Sequence, residues 1–141
     1  AYTSDSSQLA AARLRAPGGR SFLILPERIS KEPLGPVVRR GDDDWLTLVR
    51  WVLFALLAAE EKGITKATAS NPDARRALGT DTDVARALGT DPDWALRAVG
   101  SVGNYGEVFE RNLGSRSPLK LERGLNRLWT QGGLMYAPPM R

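Results

Sequence analysis

Between residues 41 and 63 the chain reads GDDDWLTLVRWVLFALLAAEEKG, three acids followed by an almost unbroken apolar run. Trp45, Leu48, Val49, Val52, Leu56 and Ala59 recur at spacings of three and four, while Trp51, Phe54 and Ala58 form a second apolar row beside them. That pattern predicts a helix buried on most of its sides. Residues 45 to 59 would rise about 22 Å, short of a hydrocarbon core of about 30 Å, and Arg50 interrupts the run, which argues against a membrane span. Asp42 is the expected N-cap, with Asp43 and Asp44 in a first turn whose free amides and dipole favour carboxylates. Gly63 is the expected stop. Adjacent helical positions diverge by about 100°, so the three acids do not converge on one metal ion.

Upstream the pattern is extended and broken. AYTS (1–4) and SFLIL (21–25) have strand composition, and SSQLAAARLR (6–15) between them is helical, ended by Pro17, Gly18 and Gly19. This predicts a strand, helix, strand unit of a parallel sheet. Pro26, Pro33 and Pro36 then mark a crossing segment or edge strand ending in Val37 and Val38, because a central strand cannot spare those donors.

Downstream the chain is helical and punctuated. Asn71 caps a helix with Pro72 at its first position and Gly79 as its stop. RALGTDTD (76–83) recurs as RALGTDPD (86–93), but two copies ten residues apart fall short of any solenoid period, so two short helices with the same stop and start are expected. A calcium loop beginning at Asp81 fails, since Arg86 stands where glycine is needed and Pro92 where glutamate is needed. In residues 91 to 114, Gly100, Gly103 and Gly106 either open a groove for a neighbouring backbone or break the helix; they neither follow a strand nor precede a Lys-Ser/Thr pair, so a phosphate loop is disfavoured. Ser117 and Pro118 are expected to start a helix with Leu121, Leu125, Leu128 and Trp129 on one stripe. After Gly132 and Gly133 comes an extended tail held by Leu134, Met135 and Tyr136.

The chain has 141 residues, 42% of them hydrophobic and 26% charged, enough for one domain with a real core. It carries neither cysteine nor histidine, which removes disulfides, thiol nucleophiles, catalytic triads and imidazole metal ligands together. An enzyme would have to work with carboxylates, lysine or tyrosine, so no catalytic residue, metal or cofactor is expected. The net charge is +4, but the cations lie among acids rather than in a stripe, and no nucleic-acid partner is expected. No signal peptide is visible, though residue 1 is not methionine.

Taken together, YTSD (2–5), LPERISKEPLGPVVRRGDDDW (25–45), VGNYGEVFERNLG (102–114) and GLNRLWTQGGLMYAPPMR (124–141) resemble the C-terminal part of the general L-amino-acid-binding periplasmic proteins of ABC importers. The resemblance covers nearly the whole chain and is less close between 64 and 100. It implies an α/β, mostly helical chain: the C-terminal fragment, well under half, of a bilobal type 2 periplasmic binding protein with a helical C-terminal extension. Residues 1–25 would end lobe two as strand, helix, strand. Residues 26–42 would be the crossing or hinge segment, 43–63 a buried helix of lobe one, and 64–141 the extension. The implied role is capture of L-amino acids in the periplasm for an inner-membrane ABC permease, without chemistry on the ligand. At the position matching the family's motif, Asp5 would pair with the ligand's α-ammonium. Spacing alone favours Asp5 as the cap of helix 6–15, and the resemblance reverses that preference. The arginine for the ligand's carboxylate would lie upstream of residue 1. The competing reading is a helical protein-protein interaction module without a small ligand, and self-association fits either.

Overall fold

The computed structural model describes residues 1–78 and 82–140, which fall into two compact units: Ala1–Pro36 with Glu110–Glu122, and Val37–Phe109 with Arg123–Arg141. The described residues are mostly helical or irregular, and no strand is formed among them.

In the first unit, helix α1 spans Ser6–Arg15 and ends at Ala16, whose N–H still reaches the carbonyl of Ala12. The expected Pro-Gly-Gly stop works through Gly18, at φ 68°, and through Gly19, where an added Cβ would lie 1.9 Å from the Arg13 carbonyl oxygen. Residues 1–5 and 22–25 form no strand, although Phe22 has extended backbone, so the strand, helix, strand expectation is corrected. A strand needs a neighbour to take its N–H and C=O groups, and among the described residues neither segment is paired with one. The proline-rich segment likewise forms no edge strand, and Val37 is almost wholly exposed. Glu110 organises the rest of this unit, its Oε2 accepting from the Ser115 N–H at 2.8 Å and the Ser115 hydroxyl at 2.7 Å.

The second unit is built on α2, Asp43–Glu61. Asp42 caps it as expected, Oδ1 accepting from the Trp45 N–H at 3.1 Å. At the other end Gly63 is left-handed at φ 68°, its N–H reaching Glu60 and the Ile64 N–H reaching Ala59 at 2.8 Å. Those two bonds form a Schellman stop, and Ala59 and Ile64 meet in the core, as that motif requires. Burial is concentrated in the C-terminal half, at Ala55, Leu57, Ala58 and Ala59; the first half is only partly covered, and Trp45 is exposed.

Three short helices pack around α2 or follow it: α3 (Pro72–Leu78), α4 (Thr82–Ala87) and α5 (Trp94–Val102). The second RALG copy stops as expected, Gly89 donating to Arg86 and Thr90 to Ala85. The first copy's stop at Gly79 lies outside the described residues. Ala58, Ala59, Ile64, Ala69, Ala74, Leu78 and Val99 form one core cluster; Ala55, Ala85, Trp94 and Ala95 form the other. Of the two roles open to the glycines, both occur. Gly103 (φ 88°) breaks the helix between α5 and α6 (Tyr105–Asn112), and Gly106 lets the Glu60 carboxylate approach to 2.9 Å from where a Cβ would be.

The expected helix from Ser117 is absent. Gly124 is left-handed at φ 50°, and the chain instead makes 3-10 turns at Gly124–Asn126 and Trp129–Gln131 with a lone parallel bridge between Leu128 and Met135. With the helical period lost, Leu128 is buried while Leu125 and Trp129 are exposed, so the stripe does not exist as one face. The tail is not held by Leu134 and Tyr136, which are both exposed. Ala137 and Met140 pack on the core instead.

Candidate functional site

Asp5 sits immediately before α1, with φ −57° and ψ 146°, and its backbone carbonyl accepts the Leu9 N–H at 2.8 Å. Its side chain makes no capping hydrogen bond to the helix, so the local alternative of a side-chain cap is not realised. Ser4 is occupied with the next turn, its hydroxyl donating to Gln8 Oε1 at 2.8 Å. The half-buried Asp5 carboxylate therefore stands at the N-terminal end of a ten-residue helix, with oxygens that can accept from an ammonium.

Several other acids are paired with arginines. Asp83 pairs with Arg86, Asp91 with Arg97, and Asp93 with Arg75. At Asp91, desolvation pushes the carboxyl upward, but the Arg97 guanidinium and the Asp93 N–H outweigh it and leave the group below the usual aspartate range. Asp81, where the rejected calcium loop would start, lies outside the described residues. Among the described residues no group of three or more His, Cys, Asp or Glu is placed to hold a metal, and no helix is long and apolar enough to cross a membrane.

Two polar constellations in the second unit were missed from the sequence. Asn104 and Glu107 form a reciprocal capping box: Asn104 Oδ1 accepts the Glu107 N–H at 2.9 Å, and Glu107 Oε2 accepts the Asn104 N–H at 2.9 Å. The same Oε2 takes the Lys66 N–H at 2.9 Å, and Asn104 Nδ2 donates to the Ile64 carbonyl at 2.8 Å, so one box also holds the turn after α2. The Asn-x-x-Glu spacing at 104–107 was the available signal. The second constellation is a bidentate pair of Arg123 with Glu60, whose side chains are only 13% and 12% exposed. The Arg123 guanidinium lies 5.3 Å from the Tyr105 ring centre and 5.6 Å from that of Phe109, and it donates to the Asn126 carbonyl at 2.7 Å. Burial raises the Tyr105 hydroxyl above its ordinary range; Arg123 opposes this and Glu60 adds to it. With 63 positions between Glu60 and Arg123, no local pattern could announce the pair.

No protein-family model matches the chain. It is 54% identical over 147 residues to the glutamate/glutamine/aspartate/asparagine-binding protein BztA of Rhodobacter capsulatus, covering 99% of this chain and 44% of that protein. It is 53% identical over 148 residues to the general L-amino acid-binding periplasmic protein AapJ of Rhizobium johnstonii, covering 99% of this chain and 43% of that protein. Among solved structures, an ABC transporter periplasmic binding protein from Brucella ovis with glutathione bound superposes with a TM-score of 0.89 at 51% identity, covering 99% of this chain and 46% of the other. The chain spans less than half the length of each. Over nearly all of its own length, then, this chain is similar to a part, less than half, of periplasmic and amino-acid-binding proteins of this kind.

Proposed function

We propose that the protein captures L-amino acids between two lobes in the periplasm and delivers them to an inner-membrane ABC permease, and that Asp5 receives the ligand's α-ammonium. The observation that carries this reading is identity of 51–54% over 99% of the chain to binding proteins, two of them named for amino acids. The Asp5 carboxylate, free of the capping bond that would otherwise employ it, supports the assignment of the residue. Glutathione, the ligand of the Brucella ovis protein, presents at its γ-glutamyl end the same free α-ammonium and α-carboxylate as an amino acid. A headgroup site of this kind therefore accepts either class.

In this reading residues 1–25 end the second lobe, 26–42 cross between lobes, 43–63 form a helix of the first lobe, and 64–141 form the extension. The change of compact unit between Pro36 and Val37 falls inside the proposed crossing and supports it as a hinge. Calorimetry with a panel of L-amino acids tests the reading. Residues 1–141 alone should bind weakly or not at all, whereas a chimera joining them to the remaining portion of BztA should bind in the micromolar range or tighter. Micromolar binding by residues 1–141 alone, or none by a folded chimera, contradicts it.

A helical interaction module is the second reading. It is favoured by the exposed Leu125, Trp129, Leu134 and Tyr136, four large apolar side chains within twelve residues. Light scattering across a concentration series distinguishes it: a defined dimer that amino acids do not affect favours the module.

A further inference from the structure

Both sulfur atoms of the chain belong to methionines, Met135 and Met140, and there is no cysteine to intercept an oxidant. The two sit differently. Met135 is held through its backbone, its N–H donating to Arg127 at 3.1 Å and its carbonyl accepting from Trp129 at 2.9 Å. Met140 is held through its side chain, partly buried and packed against both core clusters of the second unit. Among the described tail residues it packs against both the Leu78/Val99 cluster and the Trp94 cluster. Upstream in the same strap, Arg123 is tied to Glu60, and the Trp129 indole donates to Glu61 Oε1 at 3.0 Å. Residues 123–140 are thus fastened to the end of α2 by polar contacts at one end and, at the other, by packing of Ala137 and Met140 on the core clusters.

We propose that Met140 is a peroxide-sensitive latch, oxidation of which releases this strap from the core. The thioether sulfur attacks a peroxide oxygen, the O–O bond breaks, one oxygen stays on sulfur as the sulfoxide, and the other leaves as water after taking up the displaced proton. Sulfur loses two electrons and the peroxide gains them. The product is polar and chiral where an adaptable apolar chain had packed against both core clusters, so the contact that joins the strap to the two clusters is lost. Because Met140 is partly buried rather than enclosed, oxidant can reach it without global unfolding.

The test is a hydrogen peroxide titration of the protein. Peptide mass spectrometry locates the sulfoxide, and hydrogen exchange is followed at the Trp129, Leu134 and Met135 amides, which bond Met135, Leu125 and Arg127 within the strap. Oxidised wild type and oxidised Met135→Leu should exchange these amides about tenfold faster and melt at a lower temperature, and a methionine sulfoxide reductase should restore both. Met140→Leu, a volume-conserving change, should be insensitive to peroxide. If Met140→Leu does not fold, the Met135→Leu protein, with Met140 as its sole sulfur, carries the test alone. Equal loosening in oxidised Met140→Leu, or a Met140 sulfoxide with unchanged exchange, overturns the proposal.

Discussion

Replacing Arg123 by methionine would leave the buried Glu60 carboxylate without its guanidinium partner. Both partners are less than one seventh exposed, so solvent screens the pair little and water cannot simply take the place of the guanidinium. Breaking such a pair costs about 3–5 kcal/mol, most of it the penalty of an uncompensated buried charge. Loss of the guanidinium over the two rings and of its bonds to Asn126 points to the upper part of that range. For a chain of this size that is a fall in melting temperature of about 10 °C or more. Glu60→Gln should cost less, because Arg123 keeps the Asn126 carbonyl and the aromatic faces. The double variant should be less destabilised than the sum of the singles by about 1–3 kcal/mol. Chemical denaturation of the four proteins, read by tryptophan fluorescence, completes the cycle. Additive single effects, or an Arg123→Met protein as stable as wild type, would refute the claim that this pair fastens the strap.

Gly100 and Gly106, six residues apart, should respond in opposite directions to alanine. At Gly100 a Cβ meets only the Ala69 methyl at 3.8 Å, so Gly100→Ala should stabilise by about 0.5–1 kcal/mol through helix propensity; at Gly106 it would press on Glu60 and Arg123, and Gly106→Ala should destabilise by about 1–3 kcal/mol. Thermal melts that give both the same sign count against the described packing. Burial, the leading cause, raises the Tyr105 hydroxyl above 10.0, so the neutral phenol is preferred in the fold; its contribution to stability is present below pH 10.0 and is lost as pH climbs through the raised value. In a phenolate absorbance titration the last step should vanish in Tyr105→Phe; its persistence would assign the late ionisation elsewhere. Asp91, held low chiefly by Arg97 against desolvation, gives the opposite dependence: its contribution is present above 3.8 and is lost as pH falls below that. Arg97→Gln should therefore flatten the acid limb of the stability profile, and an unchanged limb would contradict this.

Helix existence was legible wherever local chemistry decides it. Asp42 and Pro72 begin helices through a capping carboxylate and a fixed φ, and Gly63 and Gly89 end them in left-handed backbone that only the lack of a Cβ makes easy, because a cap or a left-handed residue acts within one turn. Period alone misled from Ser117 onward: the leucine spacing fits a helix, but Gly124 is left-handed and Arg123 reaches a carboxylate 63 positions away. The strand composition of SFLIL does not make a strand: Ser21 closes a 3-10 turn, and pairing depends on what lies alongside. Asp5 stands out as a candidate only through the resemblance of its surroundings to a family; nothing in its spacing distinguishes a helix cap from a ligand group. The absence of its capping bond is a fact that only coordinates supply.

The most direct measurement concerns Asp5 in the chimera that completes this chain with the remaining portion of BztA. Affinities are compared for an L-amino acid and for its analogue lacking the α-amino group, before and after Asp5→Ala. A charge-assisted bond to an ammonium contributes about 1.5–3 kcal/mol, so the substitution should weaken the amino acid at least about tenfold and leave the des-amino analogue unchanged. Equal losses for both ligands, or no loss for either, would remove Asp5 from the headgroup site.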